Sequence, residues 1–167
     1  MRTRDFVDGL VAQWARERPD LAPAPMGIFG RISRLARSVE ADLLELDQAQ
    51  GLGEGEFDVL AALRRAGAPY TLTPTDLYRS LMLSSGAMTA RLKRLERAGL
   101  ITRAPNPDDG RSLQVALSPR GKKVVDALVG PHLAVERRLL SALSAPEQRT
   151  LTRLLRKLTH SREAGAP

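Results

Sequence analysis

The sequence predicts a mainly helical protein with one small β-hairpin, which places it in the α+β class. Apolar residues recur every three or four positions over most of the chain, the period of amphipathic helices. Proline and glycine divide this pattern into several separate helices. Two short stretches, Leu100–Arg103 and Ser112–Leu117, flank a polar loop whose Asn-Pro and Asp-Gly pairs indicate turns. These two stretches predict the hairpin.

The N-terminal part predicts two helices. Residues 4–17 place Phe6, Leu10 and Trp14 on one face of the first, and the three prolines of RPDLAPAPM end it. The second is long, runs from about residue 26 to residue 50 and carries one apolar stripe. The segment GLGEGE then indicates a turn, because it follows a helix, whereas phosphate-binding glycine loops follow a strand.

Three shorter helices precede the hairpin. The first spans Glu56–Arg65, and the second begins after Thr73, a predicted N-cap, with Pro74 at its first position. The third begins at a capping serine, Ser84, and ends at Gly99, a residue that stops helices readily. A helix-turn-helix followed by a hairpin is the order of a winged helix-turn-helix.

Two further helices are predicted after the hairpin, from Ser118-Pro119 to about residue 143 and from residue 144 to about residue 160. The long helices on both sides of the winged helix-turn-helix carry apolar stripes that too little remaining chain can cover. We therefore expect these flanking helices to be dimerisation helices that pack against a second copy. The predicted division is 1–50 for N-terminal helices, 51–118 for the winged helix-turn-helix region, and 119–167 for C-terminal dimerisation helices and a tail.

Positive charge is concentrated in one segment. The chain has a net charge of +7, and residues 84–123 hold nine Lys or Arg against three acidic residues, a local net charge of +6. An arginine-rich coding bias would spread the charge over the whole chain. A basic segment favours a nucleic-acid partner. Because only 4% of residues are aromatic, binding of single strands by base stacking is disfavoured.

The stretch SSGAMTARLKRLERAG predicts a helix that lies in a groove of DNA. On a helical wheel Met88, Leu92 and Leu95 share one side, which we expect to be buried. The opposite side carries small residues, which permit close approach to DNA, and cations, which can reach phosphates. An ordinary solvated face is the alternative. The predicted DNA contacts of this helix are Ser84, Ser85, Thr89, Lys93 and Arg94.

Arg91 behaves differently from the other cations of this helix. It lies about 60° from Met88, at the boundary of the buried stripe. A cation at such a boundary calls for a carboxylate partner, and Asp76 on the preceding helix is the predicted one. Structural pairing and a sensing role both remain open for Arg91.

The tip of the hairpin offers a second contact with DNA. Arg111 could enter the minor groove, where narrow A·T tracts attract cations. Asp109 could hold that guanidinium in a bidentate pair. A solvated turn is the alternative, but the recognition helix just upstream favours a DNA-binding wing.

The segment SGAMTARLKRLERAGLITRAPNPDDGRSLQVALSPRG resembles the recognition helix and wing of the MarR family of bacterial transcription regulators, including the pattern D-x-R…L-[ST]-P-x-G. The resemblance implies a homodimer whose N- and C-terminal helices interlock. It further implies binding to a palindromic double-stranded DNA operator, usually as a repressor that a small anionic aromatic ligand releases.

The segments WARERPDLAPAPMGIFGRISRL, GEFDVLAALRR and TPTDLYRSLMLSSGAMTARL resemble the urate-responsive branch of this family, which has an extra N-terminal helix carrying a Trp. Trp14 matches that Trp, which places the expected ligand site at the N-terminal helices of residues 1–50. Asp58 matches an Asp before the helix-turn-helix, and Asp76 and Arg91 match an Asp/Arg pair. Arg103 matches an Arg near the wing and is a further predicted DNA contact. The resemblance implies that urate or a related purine binds between the Trp and the Arg, repels the first Asp and loosens the Asp/Arg salt bridge.

Alternatives to this ligand site remain open. Trp14 could instead be an apolar anchor together with Phe6 and Leu10. The ligand could be a phenol, or there could be none. Gly110 also departs from the family, because many relatives carry a second Arg there, which removes one expected wing contact.

Composition excludes several other classes of protein. The chain has no cysteine, so disulfides, thiolate metal sites and a thiol-oxidation switch are excluded, and its two histidines show no metal-ligand spacing. We expect no metal, no cofactor and no enzyme activity, because the serines have no partner base and no carboxylate pair stands in a catalytic setting. Without a signal peptide or membrane span, a cytoplasmic protein is expected. The rival of another class is a dimeric winged-helix adaptor that contacts only proteins.

Overall fold

The structure is a computed structural model that describes residues 4–81, 85–106 and 109–164. The described part is mostly helical with one small antiparallel sheet, so the predicted fold class is confirmed. In chain order its elements are α1 (Phe6–Glu17), α2 (Ala24–Ala49), α3 (Glu56–Arg65), β1 (Thr71–Leu72), α4 (Pro74–Ser80), α5 (Ser85–Arg97), β2 (Ile101–Asn106), β3 (Asp109–Leu117), α6 (Pro119–Leu140) and α7 (Ala145–Ala164).

The chain divides into two compact units, Met1–Asp58 and Val59–Pro167. In the first unit α1 packs on α2. The fit is close, because a Cβ on Gly30 of α2 would lie 3.1 Å from Cγ1 of Val7. Arg31 of α2 fastens the start of α1 by donating hydrogen bonds of 2.7–2.9 Å to the carboxylates of Asp5 and Asp8. These two aspartates also form a capping box that begins α1.

The apolar stripe predicted for α1 stays largely exposed, and its contact with α2 is the Arg34 guanidinium that lies over the Phe6 ring, 4.6 Å from its centre. Val7 is buried, whereas Phe6, Leu10 and Trp14 are 61%, 41% and 47% exposed. A helix of 12 residues has room for two apolar sides, and the sequence does not show which one meets α2. The stripe of Phe6, Leu10 and Trp14 is therefore accessible on this chain.

The second unit is built on a three-stranded antiparallel sheet in the order β1-β3-β2. The predicted hairpin is present, and its strands are longer than predicted because the backbone ladder continues to the pair Asn106 and Asp109, past an irregularity at Pro105. The sequence analysis missed β1, since two residues are too short a stretch to show alternation. The side chains that fill the core of this unit are almost fully buried: Val59, Leu60, Leu63, Leu77, Leu95, Ile101, Val115 and Val125.

Two predicted helix starts are confirmed in the second unit. Thr73 is the N-cap of α4, and its hydroxyl accepts a hydrogen bond of 3.1 Å from the backbone N–H of Asp76. Ser118 is the N-cap of α6, and its hydroxyl accepts one of 2.9 Å from the N–H of Gly121. The predicted ends of α6 and α7 differ by three and four residues from those in the structure, as is usual for helix ends.

Candidate nucleic-acid interface

Helix α5 has the two sides that the helical wheel predicts. Met88, Leu92 and Leu95 are 5%, 4% and 1% exposed and join the core. Thr89, Lys93 and Arg94 are exposed. Burial of one side of α5 in the core thus fixes which side faces outward, and the outward side carries the predicted DNA contacts.

Some predicted contacts can be placed only in part. Ser84 lies outside the described residues. Ser85 begins α5, and Asp109 and Arg111 lie in β3, but for these three the structure describes the backbone alone. Their predicted roles on DNA stay predictions.

Arg103 of β2 is held by Glu96 of α5. Its Nε donates a hydrogen bond of 2.9 Å to Oε2 of Glu96, and its Nη2 donates to the same oxygen. These hydrogen bonds lower the pKa of Glu96 and raise that of Arg103. Arg103, a predicted DNA contact, therefore connects α5 to the hairpin.

Sequence reasoning missed the role of Glu96. It counted Glu96 only as one of three acidic residues in a basic segment. A signal was available, because an acidic residue on an otherwise cationic helix is a candidate partner for a nearby cation. The partner could not be chosen without the structure, because Arg103 lies seven positions after Glu96. The helix stop at Gly99 lies between them.

The predicted pair of Asp76 and Arg91 is wrong for this structure. Asp76 is exposed at the start of α4, and its carboxylate accepts a hydrogen bond of 2.7 Å from the Thr73 hydroxyl. Among residues 4–81, 85–106 and 109–164, no salt bridge joins Asp76 to Arg91. The physical reason is local, because an aspartate at the third helical position faces the cap residue of its own helix. Arg91 is half-buried, as its position on the wheel predicts.

The other predicted ligand-binding residues are exposed. Asp58 is exposed on α3, and the side chain of Trp14 is 47% exposed on α1. Trp14 and Asp58 belong to the first unit, whereas Asp76 and Arg91 belong to the second.

A second charged cluster connects several elements of the second unit. Asp126 of α6 accepts hydrogen bonds from Arg64 of α3 at 2.7 Å and from Lys122 at 3.1 Å. Both cations also lie over the ring of Tyr70, 5.1 and 5.8 Å from its centre. The bonds from Arg64 and Lys122 lower the pKa of Asp126. This cluster joins α3, the segment before β1, and α6.

The described residues contain neither a membrane-spanning helix nor a metal-binding cluster. None of the helices that the structure describes is long and apolar enough to cross a membrane. In the same part of the chain, no group of three or more His, Cys, Asp or Glu is arranged to hold a metal ion.

Helix α5 is buried on one side and cationic on the other, and a hairpin follows it. This arrangement is that of a winged helix-turn-helix protein of the DNA-binding class, and comparison with known proteins agrees. The model of the MarR family matches residues 50–112. The transcriptional regulator PecS of Dickeya dadantii is 38% identical over 149 residues, which cover 89% of this chain and 90% of PecS. The HTH-type transcriptional repressor Rv2887 of Mycobacterium tuberculosis is 33% identical over 137 residues, covering 81% and 94% of the two chains.

Solved structures agree with the sequence relatives. A single-residue variant of MarR from Escherichia coli, crystallised with operator DNA, is 26% identical and superposes with a TM-score of 0.70 over 87% of this chain and 96% of that one. The chain belongs to the MarR family of transcription regulators. It is a DNA-binding transcriptional regulator, and this family and its relatives are regulators rather than enzymes.

Proposed function

We propose that the protein is a homodimeric repressor that binds a palindromic DNA operator through α5 and the β2–β3 wing. The observation that carries the proposal is the two-sided character of α5, with Leu92 buried and Lys93 and Thr89 exposed. In this arrangement α5 would lie in the major groove and the hairpin tip beside the adjacent minor groove. Membership of a DNA-binding family favours this function over the protein-only adaptor.

Exposed apolar stripes on the long helices support the homodimer. On α2, Ile28, Ile32 and Leu35 are 58%, 39% and 56% exposed, and on α7, Leu154 and Leu158 are 45% and 44% exposed. Side chains of this size repeated along a helix are costly in water and mark a surface that another protein covers. A second copy would place two α5 helices roughly one helical turn (~10 bp) apart, which matches a palindromic operator.

Repression is the sign of regulation that we propose. Rv2887, a relative over 81% of this chain, carries the name repressor. A dimer that occupies promoter DNA blocks polymerase by simple competition. We expect the protein to repress the gene beside its own.

Salt dependence tests the DNA-binding proposal. Affinity for duplex DNA from beside its own gene should fall steeply with salt, because each phosphate contact contributes a slope of about −0.9 in log K against log[salt]. Lys93→Ala should make that slope shallower by about 0.9, the share of one phosphate contact, and should leave the sequence preference unchanged. Lys157→Ala, which removes an exposed lysine of α7, is the matched control and should leave the slope unaltered.

Two results would contradict the DNA-binding proposal. An unchanged slope for Lys93→Ala would show that Lys93 contacts no phosphate, against the proposed orientation of α5. No duplex binding by the wild type even at low salt would instead favour the adaptor.

We further propose that a small anionic aromatic ligand, with urate as the first candidate, releases the operator. Trp14 presents an exposed ring on which a purine could stack, and α1 is held on α2 by Arg31. Arg91 supplies a half-buried cation on α5. A ligand that binds better to a DNA-incompetent state shifts the population toward that state. This mechanism does not need a salt bridge between Asp76 and Arg91.

Trp14 provides the readout for the ligand, because it is the single tryptophan of the chain. Urate should change its fluorescence after correction for urate absorbance, and should weaken the gel-shift on the promoter fragment over the same concentration range. Trp14→Phe should reduce urate affinity and retain operator binding without urate. A flat titration together with an undisturbed gel-shift would eliminate urate, and a response to a phenolic acid instead would favour the phenolic alternative.

A further inference from the structure

The C-terminal end of the recognition helix α5 is closed by its own backbone. Gly99 has a φ of +67°, and its N–H donates to the carbonyl of Glu96 at 2.9 Å. The N–H of Leu100 donates to the carbonyl of Leu95 at 3.0 Å, and both leucines are buried. This pattern is a Schellman motif, which ends the helix at a defined residue. The backbone carbonyls of Ala98, Gly99 and Leu100 need hydrogen-bond donors from elsewhere in the chain.

Residues at the start of α6 supply those donors. Nη1 of Arg120 donates to the carbonyl of Ala98 at 2.9 Å, and the hydroxyl of Ser118 donates to the carbonyl of Gly99 at 2.8 Å. The backbone N–H of Ser118 donates to the carbonyl of Leu100 at 3.0 Å. Three successive carbonyls after α5 are thus bound by two residues at the start of α6.

Gly121 permits this contact. A Cβ at residue 121 would lie 2.0 Å from the carbonyl oxygen of Leu100, far inside contact distance. The first turn of α6 therefore lies directly against the backbone that leaves α5. Together, Ser118, Arg120 and Gly121 form what we call the α5–α6 lock.

We propose that Arg120 is a positioning residue for operator binding, acting through the α5–α6 lock and without contacting DNA. This inference rests on the proposed role of α5 as recognition helix. Since α6 runs for 22 residues from the lock, any shift of α6 carries the end of α5 with it. The guanidinium also stands at the negative end of the α5 dipole, where a cation stabilises the helix. Operator affinity then depends on where α6 holds α5.

Arg120→Ala tests the proposal, with Lys123→Ala as its matched control. Both variants remove one positive charge from an exposed position of α6, and alanine favours helix at both. Of the two side chains only Arg120 hydrogen-bonds a described residue, the carbonyl of Ala98. Binding is measured on the labelled promoter duplex at several salt concentrations, at a temperature where thermal unfolding shows both variants folded.

We expect Arg120→Ala to weaken operator binding about three- to tenfold relative to Lys123→Ala, the effect of one lost hydrogen bond. The salt slope of the two variants should be equal. A slope lower by about 0.9 for Arg120→Ala would make Arg120 a phosphate contact and overturn the proposal. Equal affinities would overturn it as well.

Hydrogen exchange tests the lock independently of DNA. In Arg120→Ala the amides of residues 98–100 should exchange about three- to tenfold faster than in Lys123→Ala, while those of the buried residues of α3 stay unchanged. Faster exchange throughout the chain would mean general destabilisation and would overturn a positioning role. If wild-type protein binds no duplex, the proposed function fails, and the exchange result still shows whether the lock forms.

Discussion

Gly121 illustrates how one missing side chain allows two helices to meet. The first turn of α6 could not approach Leu100 if residue 121 carried a Cβ, which would overlap the carbonyl oxygen at 2.0 Å. The family pattern L-[ST]-P-x-G has glycine at this position, but the pattern alone does not explain why glycine is needed there. The structure supplies the reason, because both the N-cap of α6 and the carbonyls after α5 depend on the same close approach.

We predict that Gly121→Ala destabilises the protein by about 2 kcal/mol or more, since the backbone must separate to admit the methyl group. Gly9→Ala in the middle of α1 is the control, because a Cβ there would meet no atom within 4 Å apart from its chain neighbours and the backbone of its own helix. That change should be neutral or stabilising by up to about 1 kcal/mol. Urea unfolding at one fixed protein concentration measures both, and equal effects would contradict the close approach.

At the scale of secondary-structure elements, Glu96 and Arg103 join the recognition helix to the wing. Their side chains are 36% and 24% exposed, so water only partly screens the pair. The pair fixes β2 relative to α5, and both elements belong to the predicted DNA-binding surface. The orientation of β2 relative to α5 therefore depends on the carboxylate of Glu96.

This pair predicts an acid-sensitive contribution to stability. The pKa of Glu96 is lower in the folded protein than its usual value of about 4.3, because Arg103 hydrogen-bonds the charged form. The pair therefore stabilises the fold above pH ~4.3, and the contribution is lost as the pH falls through the folded-state value. Between pH 6 and pH 3 the free energy of unfolding should fall more steeply for the wild type than for Glu96→Gln.

Arg103→Gln is the companion variant for this measurement. It leaves Glu96 without the guanidinium, so its pH profile should be flatter than that of the wild type over the same range. Other carboxylates contribute to all three profiles, so only the differences between proteins are informative. Parallel profiles for the wild type and Glu96→Gln would show that the pair contributes nothing.

At the scale of the whole molecule, charge and apolar surface are divided along the chain. Most of the net positive charge lies in residues 84–123, while exposed apolar stripes lie on the long helices before and after that segment. The positive segment favours binding to a polyanion, and the apolar stripes favour contact with another protein surface. A dimer that covers the stripes and presents two cationic segments would satisfy both.

We predict that the protein elutes with twice the mass of one chain in size-exclusion chromatography with light scattering. Leu158→Glu, which places a charge in the exposed stripe of α7, should shift it toward one chain and weaken operator binding, because a single half-site contributes only part of the affinity. Arg149→Glu lies about 180° away on the same helix and should leave the mass unchanged. A wild-type mass of one chain would refute the dimer.

Local signals in the sequence predict the order of the helices and the hairpin and the two sides of α5, although they do not show β1. Helical periodicity, the caps Thr73 and Ser118 and the stop at Gly99 are local signals, so they hold whatever the rest of the chain does. The wheel placed Leu92 inside and Lys93 outside for the same reason. The resemblance to the family rested on contiguous motifs and was confirmed by relatives over most of the chain.

Only the tertiary structure decided which side chains meet. The sequence paired Arg91 with Asp76, but Asp76 hydrogen-bonds its own cap residue, and the ion pair that does form joins Glu96 to Arg103. The sequence predicts a stripe of Phe6, Leu10 and Trp14 on α1, whereas Val7 is the side chain of α1 that is buried. It treated Arg120 as one charge among nine. Partners are chosen by distance in space, which spacing along a chain does not fix once a helix stop and a hairpin intervene.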